Sequence, residues 1–341
     1  MINVATIGTS WITEQFIKAC KLTDLYHLKA VYSRSVDTAK DFAQVYQADY
    51  YTDALNNILF DPEVDLVYIA SPNAMHFSQA LRAVKAGKHV IVEKPIVTSI
   101  AQWHELEEAA NRNGVFFFEA AVHYQNRNYR RLKELVKGKL DEISQPFLGA
   151  NFNIGQYSSR YVQYLAAMEK GEKGPNVFNP AMAGGALMDL GVYPLYVAID
   201  LFGLPQSVRY NAQKGKNGVD LFGTIHLKYA DFMVNIFLSK GVHSQLTSEI
   251  YVDDETIVIH GITRIDRVDL IDASGQEATL IAYTPENPMY DELVNFAEVI
   301  NHPDDTHLSY VYEDWKQTSL AVTQTMELLR KSAKLSEIDE F

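Results

Sequence analysis

Hydrophobic residues in the first 120 positions gather into short runs of four to six: Ile2–Ile7, Leu28–Tyr32, Leu66–Ala70, His89–Val92 and Val115–Phe118. Such runs, rich in Val, Ile, Phe and Tyr, read as strands buried on both faces. Between them the apolar positions recur at helical spacing, as in Ala39, Phe42, Ala43, Tyr46 and again in Phe77, Ala80, Leu81, Val84. The alternation predicts right-handed crossovers and an open parallel sheet. Gly87 and Gly114 stand where two of these helices should stop.

After about residue 145 the pattern changes. Thr224–Tyr229 and Phe232–Leu238 alternate in period two about a tight Ala230-Asp231 connection, which predicts an antiparallel hairpin. Further strands are expected at Glu249–Val252, Thr256–Ile259 and Arg264–Ile271, and a helix over Val311–Leu329. Gly171–Pro180 is turn-rich and reads as an exposed loop. The expected architecture is α/β. Residues 1–120 are expected to form a nucleotide-type α/β domain with a parallel sheet. Residues 121–333 form an α+β domain with a large, mostly antiparallel open sheet, and 334–341 a tail.

Composition narrows the function. The 341 residues are 47% hydrophobic and 21% charged, which excludes a disordered or fibrous chain. A net charge of −13 opposes phosphate backbones and anionic lipid, so neither nucleic acid nor membrane is an expected partner. Cys20 is the single cysteine, so no internal disulfide forms and a reducing compartment is expected. The opening Met1-Ile2-Asn3-Val4-Ala5 runs into a strand with no basic or long apolar leader, and no stretch approaches a membrane span. Together these features lead us to expect a cytoplasmic protein.

The candidate chemistry lies at strand ends. Gly8 closes the first strand and Thr9-Ser10-Trp11-Ile12-Thr13 follows, so a dinucleotide fingerprint keeps its first glycine and has Ser10 and Thr13 at the other two places. Small Ser10 still admits a diphosphate to backbone N–H groups at a helix start; an ordinary turn capped by Ser10 is the alternative. The second strand leads to Ser33 and Arg34, where an NAD site usually has a carboxylate. A hydroxyl and a cation suit a 2′-phosphate and favour NADP over NAD. Ser71, Pro72, Asn73 and His76 follow the next buried strand; Asn73 is either a helix N-cap or part of a loop beside the nicotinamide. Glu93 and Lys94, followed by Pro95, come directly after a buried run, at the edge where doubly wound sheets bind ligands. A lysine there can donate to a substrate hydroxyl or the forming alkoxide.

Taken in order and spacing, Gly8, Ser71-Pro72-Asn73 with His76, Glu93-Lys94-Pro95, Glu119-Ala120 and the block Gly184-Gly185-Ala186-Leu187-Met188-Asp189-Leu190-Gly191-Val192-Tyr193-Pro194 resemble the Gfo/Idh/MocA oxidoreductase family, over roughly residues 1 to 330. The resemblance implies an N-terminal Rossmann NAD(P)-binding domain over residues 1–120, NAD(P)-dependent hydride transfer, a second, mixed-sheet domain that often forms the oligomer interface, a catalytic lysine at Lys94, the family's aspartate at Asp189 and its proton-transferring position at Tyr193. The residues agree. Asp189 and Tyr193 are four apart and so share a helix face. The glycines before them free the backbone to approach a ligand. A phenol with a reference pKa of about 10 can donate to a carbonyl, and a nearby lysine cation would stabilise the phenolate.

Two departures stand out: the second and third glycines are missing, and Tyr124 stands where many relatives carry an arginine. His123, Tyr124 and Arg160 are candidates for the substrate pocket. No cluster has metal-ligand spacing, and hydride transfer needs no metal. The leading expectation is an oxidoreductase for a small polyol, sugar, cyclic diol or the matching carbonyl, working as a homo-oligomer, dimer or tetramer, built through the second sheet. A catalytically inactive NAD(P)-binding sensor of the same fold is the alternative, and an enzyme that retains and recycles its nucleotide is a third reading.

Overall fold

The computed structural model describes residues 1–142, 147–336 and 338, with only the backbone described for Asp141 and Glu142. The described chain forms two compact units, Met1–Ala121 with Pro285–Gln317, and Val122–Thr284 with the described residues from Thr318 to 338.

The first unit alternates strand and helix: β1 (Ile2–Ile7), α1 (Trp11–Thr23), β2 (Tyr26–Tyr32), α2 (Val36–Tyr46), β3 (Tyr50–Thr52), α3 (Leu55–Leu59), β4 (Leu66–Ile69), α4 (His76–Lys85), β5 (His89–Glu93), α5 (Ile100–Asn113) and β6 (Phe117–Ala120). The six strands are all parallel in the order β3-β2-β1-β4-β5-β6. The order reverses beside β1, which opens a crevice at the carboxyl ends of the strands. Helix α1 covers one face with Phe16, Ile17, Ala19 and Cys20 buried, and Phe16 stacks on Tyr68 of β4 at 3.7 Å between ring centroids.

The last expected strand lies two residues later than its apolar run suggested. The Val115 N–H closes α5 by donating to Ala110, after Gly114 turns left-handed at φ 64°, so pairing begins at Phe117 and takes in Glu119 and Ala120. Likewise the 3-residue β3 is too short to show a period.

The second unit contains α6 (Val122–Gln125), α7 (Arg127–Glu142), β7 (Gly149–Gly155), α8 (Tyr161–Lys170), α9 (Val192–Phe202), β8 (Ser207–Lys214), β9 (Asp220–Lys228), β10 (Met233–Ser239), β11 (Ser248–Val252), β12 (Glu255–His260), β13 (Arg267–Ile271) and β14 (Glu277–Ala282). Its eight-stranded sheet runs β14-β13-β12-β11-β7-β10-β9-β8, antiparallel except where β7 meets β10. One face is apolar and buried (Phe152, Ile225, Leu227, Ile236, Ile250, Ile257). The other carries a side-chain ladder, in which His226 meets Asn235 at 2.8 Å, Asn235 donates to Asn151, and Asn151 donates to Tyr251.

The β9–β10 hairpin forms as its alternation predicts. Strand β13 starts at Arg267, three residues later than expected, because Gly261–Asp266 forms a turn with Ile265 at φ 52°. The stretch read as an exposed loop contains two short 3-10 turns and buries Phe178 completely. Pro180–Phe202 is, by length and hydropathy alone, apolar enough to cross a bilayer, contrary to the reading of the sequence; 78% of that window is buried in the fold, as in a core helix. The change of pattern near 145 falls at residues 143–146, outside the described residues, as do 337 and 339–341 of the expected tail. Leu335 is tied back to Arg330 and so continues the helix end.

The division differs from a simple cut at residue 120 in one respect. Helix α10 (Tyr290–Asn301) belongs to the first unit, and α11 (Thr306–Ser332) begins there and ends in the second. The cause is apolar packing: Phe296 stacks on Phe118 at 4.4 Å and meets Trp315 edge-on. On the same helix Glu292 is fully buried and neither carboxyl oxygen has a hydrogen-bond partner among the described residues. Burial, and then the charge of Glu93, push its pKa well above the usual carboxylate range. The folded chain therefore keeps a proton that the unfolded chain releases above about pH 4.3, and stability falls as pH rises through that window. Glu292→Gln should flatten this fall. Thermal melts at pH 5 and pH 8 should differ less for the variant than for the parent, and an equal difference would show that Glu292 is not the source.

Candidate active site

At the end of β1, Gly8 has φ +112°, and a Cβ there would lie 2.7 Å from the Ala70 carbonyl oxygen. Only glycine lets β1 and β4 end so close together. Ser10 is the extended N-cap of the 13-residue helix α1, yet its side chain makes no capping bond among the described residues. Thr9 and Ile12 are half-buried and Trp11 is 67% exposed. Thr13, at the third fingerprint position, is fully buried in the helix–sheet contact. The Ser71 hydroxyl is buried without a hydrogen-bond partner among the described residues. A glycine turn, an uncapped helix start and an orphaned hydroxyl fit a dinucleotide's diphosphate and ribose.

Arg34 is exposed at the end of β2, and Ser33 is half-buried with its Oγ accepting from the Ser35 N–H at 3.5 Å. Asn73 does not cap α4, contrary to one of its two readings; it opens a 3-10 turn over Asn73–Met75, after Pro72, and Met75 occupies the cap position. His76 also differs from a cofactor contact. It is fully buried, with Nδ1 2.8 Å from the Pro95 carbonyl and Nε2 2.9 Å from the Ser71 carbonyl. Burial lowers its pKa, and the Lys94 charge adds to this. A neutral ring donates to one carbonyl at a time, so His76 straps together the loops after β4 and β5.

Glu93 ends β5 and is nearly buried, accepting from the Tyr68 hydroxyl at 2.7 Å. Burial raises its pKa, opposed by the Lys94 charge. Half-buried Lys94 follows, and the Lys94–Pro95 peptide bond is cis. Glu119 of β6 accepts from the Ile96 N–H at 3.1 Å, which fixes the far side of this turn.

In the second unit the glycine pair does something other than admit a ligand. A Cβ on Gly184 would meet Asn176 O at 2.6 Å, and one on Gly185, at φ +124°, would lie 2.0 Å from Asp220 Oδ1. Gly184 makes room for the backbone turn at Asn176–Asn179, and Gly185 for the protein's own Asp220. That carboxyl is buried and accepts from the Leu187 N–H at 2.7 Å and the Tyr210 hydroxyl at 2.8 Å. Burial raises its pKa; the bonds from Leu187 and Tyr210 and the Lys240 charge oppose this.

From this anchor the chain enters a π-helical turn, Leu187–Gly191, and continues as α9. Single π turns inside helices are frequent at functional sites. Along 185–199 only Asp189 and Tyr193 are not buried. Asp189 forms an ion pair with Lys240, a residue that sequence reasoning missed. His123 is fully buried; its Nε2 lies 3.0 Å from the Tyr193 carbonyl oxygen and its ring 4.9 Å from the Tyr193 ring.

Two expected pocket residues stand apart. Tyr124 is buried against Tyr129 and Tyr196 and donates to Thr318 at 3.3 Å. Arg160 is exposed at the start of α8 and bonds Gln163.

This pairing of a six-stranded dinucleotide sheet with a glycine-anchored Asp/Tyr helix head defines a class, and comparison with known proteins identifies it. Residues 2–121 match the NAD-binding Rossmann fold of an oxidoreductase family, and residues 151–261 the GFO/IDH/MocA C-terminal domain. The chain belongs to the Gfo/Idh/MocA family and is an NAD(P)-dependent oxidoreductase acting on CH–OH groups. It is 33% identical over 333 residues to the scyllo-inositol 2-dehydrogenase (NADP(+)) IolU of Bacillus subtilis, covering 97% of each chain. It is 36% identical over 301 residues to the uncharacterized oxidoreductase YgjR of Escherichia coli, covering 88% of this chain and 89% of that one. Its fold resembles a 3-ketoreductase from Actinomadura kijaniata solved with NADP and TDP-benzene, at a TM-score of 0.80 and 20% identity over 97% of each chain.

Proposed function

We propose that the chain prefers NADP(H) and interconverts a neutral polyol, sugar or cyclic diol with its carbonyl. The observation that carries this reading is the accessibility of Asp189 and Tyr193 alone along an otherwise buried segment. The relative IolU, a scyllo-inositol 2-dehydrogenase using NADP(+), supports it. When bound, the cofactor supplies or accepts a hydride at nicotinamide C4.

In reduction, Tyr193 donates its phenolic proton to the carbonyl oxygen as that oxygen gains electron density. In oxidation the phenolate takes the hydroxyl proton back. We assign Lys94 the role of stabilising the alkoxide, and Asp189 that of orienting a substrate hydroxyl. Gly8, the N–H groups that open α1, and Ser71 would hold the diphosphate and ribose, with Ser33 and Arg34 on the 2′-phosphate.

Lys94→Met and Tyr193→Phe should each lower turnover of scyllo-inositol with NADP⁺ by about 100-fold or more. Unchanged turnover in both, with the fold intact, would remove the mechanism. Turnover absent in the parent across polyols and sugars, with NADPH still bound, would favour the sensor reading. Arg34→Ala should weaken NADPH binding about 10-fold or more and leave NADH unchanged, as read by nicotinamide fluorescence. Equal losses for the two cofactors would reject the 2′-phosphate assignment.

We also propose that two copies pair through the open sheet face that carries the Asn151–Asn235–His226 ladder and half-buried Phe237. Light scattering should give at least twice the chain mass for the parent and a single chain for Phe237→Arg; a monomeric parent ends the proposal.

A further inference from the structure

Lys240 follows β10, and its backbone is held on both sides: its N–H donates to the Leu221 carbonyl, and its carbonyl accepts from the Ser158 N–H. Its side chain is only 3% exposed, with Nζ 5.2 Å from the centre of the Phe178 ring and in an ion pair with Asp189. The Asp189 side chain, by contrast, is 33% exposed. A buried ammonium without a partner would cost several kcal/mol. Here the groups facing it are the Asp189 carboxylate, Phe178 and, within electrostatic reach, the Asp220 carboxyl that Tyr210 and Leu187 satisfy.

We propose that Lys240 is a positioning residue for the reaction, pinning Asp189 as an ionised hydrogen-bond acceptor of fixed direction. The inference rests on the reading of Asp189 and Tyr193 given above and deepens it. Lys240 is too enclosed to reach a substrate and acts through Asp189. A carboxylate locked in this way accepts from a substrate hydroxyl and repels an anionic group. The favoured substrate therefore carries a neutral hydroxyl next to the reacting carbon, as in a polyol, rather than a carboxylate or phosphate. No proton passes through Lys240 in either direction of the reaction.

A double-mutant cycle tests this, with scyllo-inositol and NADP⁺ as the probe and Tyr193→Phe as the reference. Lys240→Met should lower kcat/KM by about 10- to 100-fold, the usual effect of groups that orient a reacting ligand, with the acid limb of the pH profile moved to higher pH. In the Asp189→Asn background the same change should cost no more than about 2-fold, because the partner it acts through is gone. Lys240→Arg should recover most of the loss. Equal losses in the two backgrounds, or none in either, overturn the proposal. Undiminished turnover in Tyr193→Phe would instead sink the underlying catalytic reading, whatever Lys240 does.

A second measurement is independent of turnover and of substrate choice. In protein labelled with ¹³C at the aspartate carboxyls, the Asp189 signal should titrate at higher pH in Lys240→Met than in the parent. The doubly substituted protein, with neither charge, serves as the folded reference by thermal melt. An Asp189 titration unaffected by Lys240→Met overturns the proposal.

Discussion

The second unit is organised around one buried carboxyl, that of Asp220. Taking a carboxylate out of water costs several kcal/mol unless hydrogen bonds and nearby charge replace the lost solvation. Asp220 has the Leu187 N–H, the Tyr210 hydroxyl and the field of Lys240. Each hydrogen bond to a charged group contributes about 1.5–3 kcal/mol, so two of them are of the order of the desolvation cost. The site is stable only when all the parts are present. The glycine at 185 is one of those parts, because any side chain there would occupy the position of Asp220 Oδ1. What reads in the sequence as a flexible glycine pair is a close fit between backbone and carboxyl.

The first unit reaches the same end by different means. Lys94, to which we assign a catalytic role, follows a strand terminus, and rigidity comes from groups behind it: Tyr68 on Glu93, Glu119 on the Ile96 N–H, and the His76 ring between the Ser71 and Pro95 carbonyls. Burial keeps His76 neutral over the physiological range, so the strap persists as pH changes. In both units the side chains to which we assign catalytic roles are half-exposed, whereas the groups that hold them are buried. This is the arrangement that fixes reacting atoms without freezing access.

How much of this could be read from the sequence follows from the distance along the chain over which each feature is encoded. The strands β1, β4 and β5 are buried almost throughout, and β2 over Ala30–Val31, so their apolar runs announce them. The edge strands β8 and β14 are mostly exposed and carry no such signal. Glu93, Lys94, Asp189 and Tyr193 were legible because each motif is contiguous. Asp220 and Lys240 were not. They lie beyond α9, and they meet the π turn only because β9 and β10 pair with Ser239 opposite Phe222, which brings Lys240 beside Leu221. A register of that kind is a property of the folded sheet, and no local spacing records it. Arg160 erred the other way: a cation in a polar loop suggested a pocket, yet it is solvated at a helix start.

The π turn sets the register of α9 relative to the anchored start of its segment. The segment has two fixed ends: Leu187 is held by Asp220, and α9 is held by its buried Leu195, Tyr196, Val197 and Ile199. With both ends fixed, the only remaining freedom is the number of residues wound between them. Adding one residue to a helix rotates everything beyond it by about 100°. The extra residue of the π turn therefore sets which side chains of α9 face outward relative to the anchored start. In the observed register the outward positions are those of Asp189 and Tyr193, flanked throughout by buried neighbours. Without the wide turn, the residues beyond it would rotate relative to the Asp220 anchor, and α9 would present a different face. The irregularity in the helix is thus the geometric condition for presenting an acceptor and a phenol on the same surface.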